Sequence, residues 1–225
     1  MTELRVIFFD ATGTLIGLPR GVGYYYSQVA QRRGWNVSPD VLDRAFRSAW
    51  SSMPAPKVTR LRRPDDDKGW WRKLVGRVLD AVPGAVPAGF DRECYFEDLY
   101  TEFTKPGVWD VFPETRTVLA RLSSEYRLAI ISNFDRRLLR VLDELGIGPL
   151  FDPIVISSEV GADKPDPWIF QEALRLAGVR AAETLHVGDD PNADWDGATA
   201  AGMRVFRLKR PENSLEDLLQ YLQGA

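Results

Sequence analysis

The sequence predicts an α/β fold, a parallel-sheet core wrapped by helices with a helical module inserted after the first strand. Three observations predict it. Short runs rich in Val, Ile and Phe recur along the chain, and in its second half they alternate with helical patterns, the mark of βα units on a parallel sheet. Between Ile16 and Gly107 no strand-like run occurs and helical periodicity dominates. The length of 225 residues suits one compact domain or a core carrying a sizeable insertion.

The elements follow in order. Leu4 to Phe9 is an apolar run ending at Asp10 and reads as the first strand. The inserted module predicts helices at Gly23 to Arg33, Pro39 to Ser51, Lys68 to Val82 and Asp91 to Phe103. Loops are expected at Pro54 to Pro64 and in the Pro and Gly cluster Val82 to Gly89. Beyond it, strands at Tyr126 to Ile131, Pro153 to Ile156, Thr184 to Val187 and Arg204 to Leu208 alternate with helices. Those helices are Thr115 to Leu122, Arg137 to Leu145, Pro167 to Ala177, Asp194 to Ala201 and Leu215 to Leu222. Asp166-Pro167 supplies an N-cap and a proline at the first helical position, and Gly178 closes that helix. Ser214 with Asp217 resembles a capping box.

Composition excludes several classes. With 44% apolar and 27% charged residues the chain can bury a core, and neither disorder nor a collagen-like repeat fits. A formal charge of −3 creates no global positive field, so neither nucleic acid nor a membrane surface is an expected partner. Cys94 is the only cysteine and His186 the only histidine, which rules out an internal disulfide and a Cys/His zinc site. No stretch approaches the ~18 apolar residues of a membrane span, and the N-terminus reads as a strand rather than a leader. A cytoplasmic protein, monomer or weak dimer, is expected. Residues 16 to 108 hold 15 Lys/Arg against 11 Asp/Glu, whereas the remainder holds 14 against 21. An acidic core for a divalent cation beside a basic module for an anionic substrate is one reading, and ordinary solvated surfaces are the other. The basic cluster Lys57, Arg60, Arg62 and Arg63, answered by Asp65, Asp66 and Asp67, reads as a solvated loop.

Four polar loops follow strands. Asp10 emerges from the first strand before Thr12-Gly13-Thr14, where α/β folds place ligands, although a turn Asp before Gly has the same appearance. Ser132-Asn133 follows LAIIS, Lys164 stands in GADKPDPW, and Asp189, Asp190 and Asp194 stand in HVGDDPNAD. Singly, Ser132 reads first as a helix N-cap and Lys164 as a surface lysine, and the GDD segment reads equally as the acidic start of a helix. In a parallel sheet all four meet at one edge.

The strings FFDATGTL, ISN, DKPDP and VGDDPNAD, in that order, resemble the four motifs of the haloacid dehalogenase-like hydrolase superfamily. The resemblance covers residues 1 to 15 and 109 to 208, and SNFD, KPDPWIF and HVGDD are similar to a hydrolase-like subfamily whose substrates are generally unassigned. It implies a Rossmann-like core of residues 1–15 and 109–225 with a helical-bundle cap domain at 16–108, and a magnesium-dependent phosphatase of a small phosphorylated metabolite. Asp10 would be the nucleophile that forms an aspartyl-phosphate, with Asp10, the Thr12 carbonyl, Asp189, Asp190 and Asp194 around Mg2+. Ser132, Asn133 and Lys164 would bind phosphoryl oxygens, and Lys164 would keep Asp10 ionised.

One departure stands out. The family's phosphatases carry a second Asp two residues after the nucleophile, as general acid and base, and this chain has Thr12, as do transport ATPases with their DKTGT motif. Slow turnover is one consequence, and a catalytically weak binding member is another. A 2-haloacid dehalogenase is the further alternative, against which the retained Asp189 and Asp190 argue. Tyr24, Tyr25, Tyr26, Trp70 and Trp71 are candidates to close over the site, with packing inside the helical module as the stronger expectation. Arg20 and Gly21 lie where the chain enters that module. His186 is expected to be a buried structural imidazole, and Cys94 a small apolar residue.

Overall fold

The structure is a computed structural model and describes residues 3–84 and 86–224. Ala85, inside the expected loop Val82 to Gly89, lies outside the described residues, as do residues 1, 2 and 225. The chain runs β1 (Val6–Phe9), β2 (Ile16–Gly17), α1 (Gly21–Arg32), α2 (Pro39–Ser52), α3 (Lys68–Ala81), α4 (Arg92–Glu102) and β3 (Asp110–Val111). It continues with α5 (Thr115–Leu122), β4 (Arg127–Ser132), α6 (Arg137–Glu144), β5 (Phe151–Ile156), α7 (Ser157–Val160) and α8 (Pro167–Ala177). The last elements are β6 (Thr184–Gly188), α9 (Gly197–Ala200), β7 (Arg204–Arg207) and α10 (Leu215–Gln223).

The chain forms two compact units, one running up to Gly17, through Lys57–Asp66 and onward from Val111, the other made of Leu18–Pro56 and Asp67–Asp110. The first is an α/β unit around a five-stranded parallel sheet of order β5-β4-β1-β6-β7. Its central strand β1 is buried at every residue, as a parallel strand covered on both faces requires. Phe9 pairs with Ile130 of β4 on one side and with Val187 of β6 on the other. On one face Val6, Phe8, Ala129, Ile131 and Val155 pack against Ile169, Phe170 and Ala173 of α8. That helix starts at Asp166, whose side chain accepts from the Trp168 N–H, and stops at Gly178 with φ +65°. Ser214 and Asp217 form the reciprocal capping box that opens α10.

The second unit consists of α1 to α4 around their own core, in which Leu42, Leu74, Val78, Leu79 and Leu99 are fully or almost fully buried. Tyr26 and Tyr95 join that core, and Trp70 and Trp71 pack against it.

Four features depart from the expectations, the first being the short pair β2 and β3, a two-stranded sheet whose two-residue strands are too short to form an apolar run. The segment 57–66, expected inside the helical module, belongs to the α/β unit, because Arg63 is buried there in an ion pair with Asp163. The helix expected at Asp194 to Ala201 is instead a wide π-type turn, Pro191–Asp196, leading into the short α9. The four-residue α7 carried no periodic signal, being too short to show one.

Candidate active site

β1, β4 and β6 are parallel neighbours, so their C-terminal ends share one sheet edge, at the point where the strand order reverses. Asp10 is the first residue beyond β1, and its N–H donates to the Val187 carbonyl at 2.8 Å, which extends the ladder and holds the carboxylate at the edge. It is buried. The chain then turns at once, with Gly13 at φ +90°, and a Cβ at that position would run into the Asp189 carboxylate. Only glycine lets the turn come so close. Thr14 Oγ1 donates to Asp189 Oδ1 at 3.2 Å, which ties the same turn to the end of β6. Thr12 is exposed on this turn, and Ser132 is buried at the end of β4.

Lys164 joins the loops. Its buried ammonium donates to Asp10 Oδ1 and to Asp194 Oδ1, each at 2.6 Å. Asn133 grips the backbone of that lysine at both ends: its Oδ1 accepts from the Lys164 N–H at 2.6 Å and its Nδ2 donates to the Lys164 carbonyl at 2.9 Å. Both amide groups of Asn133 are therefore engaged in positioning Lys164, a different task from the phosphoryl contact that the resemblance implied. Asp194 is held from three sides, since Oδ1 also accepts from His186 Nε2 at 2.8 Å and Oδ2 accepts from the Asp190 N–H at 3.0 Å.

Ligand oxygens of Asp10, Asp189 and Asp194 lie within 4.8 Å of one another. Asp190 is not among them. Its Oδ1 accepts from the N–H groups of Asn192 and Ala193, so it caps the π-type turn and is removed from the expected ligand set. Here the two adjacent aspartates of the Gly-Asp-Asp string take different tasks, and the sequence alone does not tell which one turns away.

The charges are unequal, with three carboxylates facing one ammonium. Burial raises Asp10 to about 7, with Lys164 opposing and the charges of Asp194 and Asp189 reinforcing. Burial also raises Asp189. Burial pushes Asp194 upward too, but the Lys164 ammonium and the His186 hydrogen bond outweigh it and leave this carboxyl below its usual range. Lys164 is raised because Asp10 and Asp194 together overcome its desolvation. Burial lowers His186 against the opposing pull of Asp194, which favours the neutral imidazole, and its Nε2 lies 2.8 Å from Asp194 Oδ1. A hard divalent cation suits this set, since its donors are carboxylate oxygens and their charge is undercompensated.

Two contributors escaped the sequence. His186 was expected to be structural, and it is fully buried, yet it also bonds the carboxylate that holds Lys164. Arg210 donates from its guanidinium to the Thr14 carbonyl at 3.1 Å and pairs with Glu114 at 2.6 Å, bracing the turn after Asp10 from 196 residues away. No local pattern carries such a contact. In the helical unit, Arg20 lies over the Tyr24 ring and donates to its hydroxyl at 2.7 Å, Tyr25 and Tyr26 are buried, and Cys94 is exposed rather than packed.

The haloacid dehalogenase-like hydrolase family model matches residues 4–202. Haloacid dehalogenase-like hydrolase domain-containing protein 3 of Homo sapiens is 35% identical over 219 residues, covering 93% of this chain and 84% of that protein. Glyceraldehyde 3-phosphate phosphatase of Methanothermobacter thermautotrophicus is 45% identical over 97 residues, 42% of this chain and 43% of that protein. The structure of the HAD-hydrolase YfnB from Bacillus subtilis, bound to magnesium, superposes with a TM-score of 0.79 at 17% identity over 99% of this chain and 100% of that one.

Proposed function

The chain belongs to the haloacid dehalogenase-like hydrolase family, and we propose that within it this hydrolase is a magnesium-dependent phosphatase of a small phosphate ester, working through an aspartyl-phosphate at Asp10. The observation that carries the reading is Lys164, which bridges Asp10 and Asp194 at 2.6 Å with Asp189 alongside. That arrangement offers a nucleophile, a cation for phosphoryl oxygens and a set of hard donors at one sheet edge. The similarity to a glyceraldehyde 3-phosphate phosphatase over 97 residues supports a phosphate ester as substrate class.

Asp10, Asp189, Asp194 and the Thr12 carbonyl would hold Mg2+, which supplies charge neutralisation between the anionic substrate and the carboxylates. The Asp10 carboxylate attacks phosphorus as the bond to the leaving oxygen breaks. Lys164 and Ser132 hold the phosphoryl oxygens while charge spreads over them. Thr12 cannot exchange a proton near neutral pH, so the leaving oxygen takes its proton from solvent, and water then attacks the acyl-phosphate without a neighbouring base. Slow turnover follows. The same proposal takes a small phosphorylated metabolite as the partner, in the cytoplasm and without nucleic acid or membrane, for a monomer or weak dimer. No helix among the described residues is long and apolar enough to cross a membrane.

The test is release of phosphate from an aryl phosphate with Mg2+ or with a chelator present, beside release of halide from a 2-haloacid. We expect metal-dependent phosphate release that Asp10→Asn abolishes, because an amide is a poor nucleophile and withdraws one charge from the metal set. Halide release without metal would replace this reading with the dehalogenase, and neither product would replace it with the binding member.

A further inference from the structure

Residues 57–66 leave the helical unit's sequence to lie on the α/β unit as a strap, and several of its contacts fall on residues 158–163, just before Lys164. The Thr59 and Arg60 N–H groups donate to the Gly161 carbonyl at 2.8 and 3.2 Å, and the Arg63 N–H donates to the Ser158 carbonyl at 2.8 Å. Ser158 Oγ donates to Asp66 at 2.6 Å. Gly161 has φ +70°, and a Cβ on it would collide with the backbone of Leu61, so the glycine admits both the turn and the strap. The Arg63 guanidinium is buried and pairs with Asp163, the residue immediately before Lys164.

We propose that Arg63 is a positioning residue of the site: through Asp163, and with the strap's grip on Gly161, it fixes the backbone from which Lys164 reaches Asp10 and Asp194. The argument is one of anchoring. Lys164 must place one ammonium at 2.6 Å from two separate carboxylates, which requires a loop held at more than one point. Asn133 holds the Lys164 peptide groups, and the strap holds the two positions upstream, Gly161 by its carbonyl and Asp163 by its side chain. A buried guanidinium facing a carboxylate is a costly arrangement that persists only where its geometry is well satisfied. The role in turnover rests on the phosphatase reading, whereas the effect on Lys164 does not.

The experiment compares wild type with Arg63→Ala, Arg63→Lys and Asp163→Asn in two measurements. One is the 15Nζ resonance of Lys164, assigned through Lys164→Arg, and the other is steady-state hydrolysis of an aryl phosphate by the folded protein. In Arg63→Ala the Lys164 resonance should shift or broaden, and kcat should fall about 10- to 100-fold with KM within about twofold, the scale of a small misplacement at a reacting centre. Arg63→Lys, which keeps the charge, should recover most of both. If Arg63→Ala fails to fold, Asp163→Asn carries the test, because it weakens the pair while keeping its shape. An unchanged resonance and kcat in a folded variant would overturn the proposal. If wild type hydrolyses no phosphate ester, the phosphatase reading falls, and the Lys164 resonance by itself still supports or overturns the role of Arg63.

Discussion

At Asp10 three influences meet: burial, one ammonium and two further carboxylates. Burial is the largest, and it lifts the carboxyl from 3.8 to about 7. A carboxyl whose folded value lies above its unfolded value contributes stability that is complete below about 4 and is lost as pH rises through about 7, since the folded state binds the extra proton. On the magnesium reading a divalent cation would take the place of that proton. The expected outcome is that Mg2+ raises the melting temperature more at pH 8 than at pH 6, as thermal unfolding in magnesium and in chelator would show. An equal gain at both values would mean that the cation does not compete with this proton. Thr12 sets the second expectation at this scale. With a general acid and base missing, an alkyl phosphate should be hydrolysed far more slowly than an aryl phosphate. Thr12→Asp should raise steady turnover of the alkyl ester by up to roughly 10² to 10⁴-fold, or ~3 to 5 kcal/mol of barrier. Steady-state kinetics on both esters measures it, and a variant no faster than wild type would show that another group already supplies the proton. Asp10, Lys164, Asp189 and Asp194 were legible in the sequence because each follows a predicted strand. Asp190 was not separable from Asp189, because the choice between them depends on which one caps the next turn.

Among the elements, the sheet edge and the π-type turn give residues next to each other in sequence different tasks. Asp189 stands at the end of β6 against the turn that follows Asp10 and faces that residue, whereas Asp190 satisfies two N–H groups of the π-type turn. Asp189→Ala should therefore weaken Mg2+ binding sharply. Asp190→Ala should leave that affinity within a few-fold and cost about 0.5–2 kcal/mol of stability, the usual loss for an N-cap. Calorimetric titration and denaturant unfolding separate the two, and equal loss of metal affinity would return Asp190 to the ligand set. The strands and most helices were legible from apolar runs, caps and Gly stops, as at Asp166, Gly178 and Ser214. The strap 57–66 was not. Its basic run answered by an acidic one looks solvated, and Lys57, Arg60 and Arg62 are indeed exposed, while Arg63 finds its partner 100 residues later at Asp163.

For the whole molecule, topology does the assembling. Asp10, Ser132, Lys164 and Asp189 are spread over 180 residues of chain, and a parallel sheet with β1 between β4 and β6 brings their loops to one edge. Right-handed βα units leave little choice in that outcome, which is why the fold class could be read from alternation alone. The bracing contacts could not be so read, because Arg210 to Thr14 and Lys164 to Asp10 are long-range pairings that only the folded chain defines. What remains is whether the converged groups carry out covalent phosphoryl transfer. Rapid-quench mixing of the protein with Mg2+ and an aryl phosphate, followed by peptide mass spectrometry of the first turnover, tests this most directly. The account predicts a burst of the leaving group and a phosphoryl label on the peptide containing Asp10, persisting because Thr12 activates no water and absent in Asp10→Asn. Phosphate released with no label at Asp10 at any quench time would contradict it.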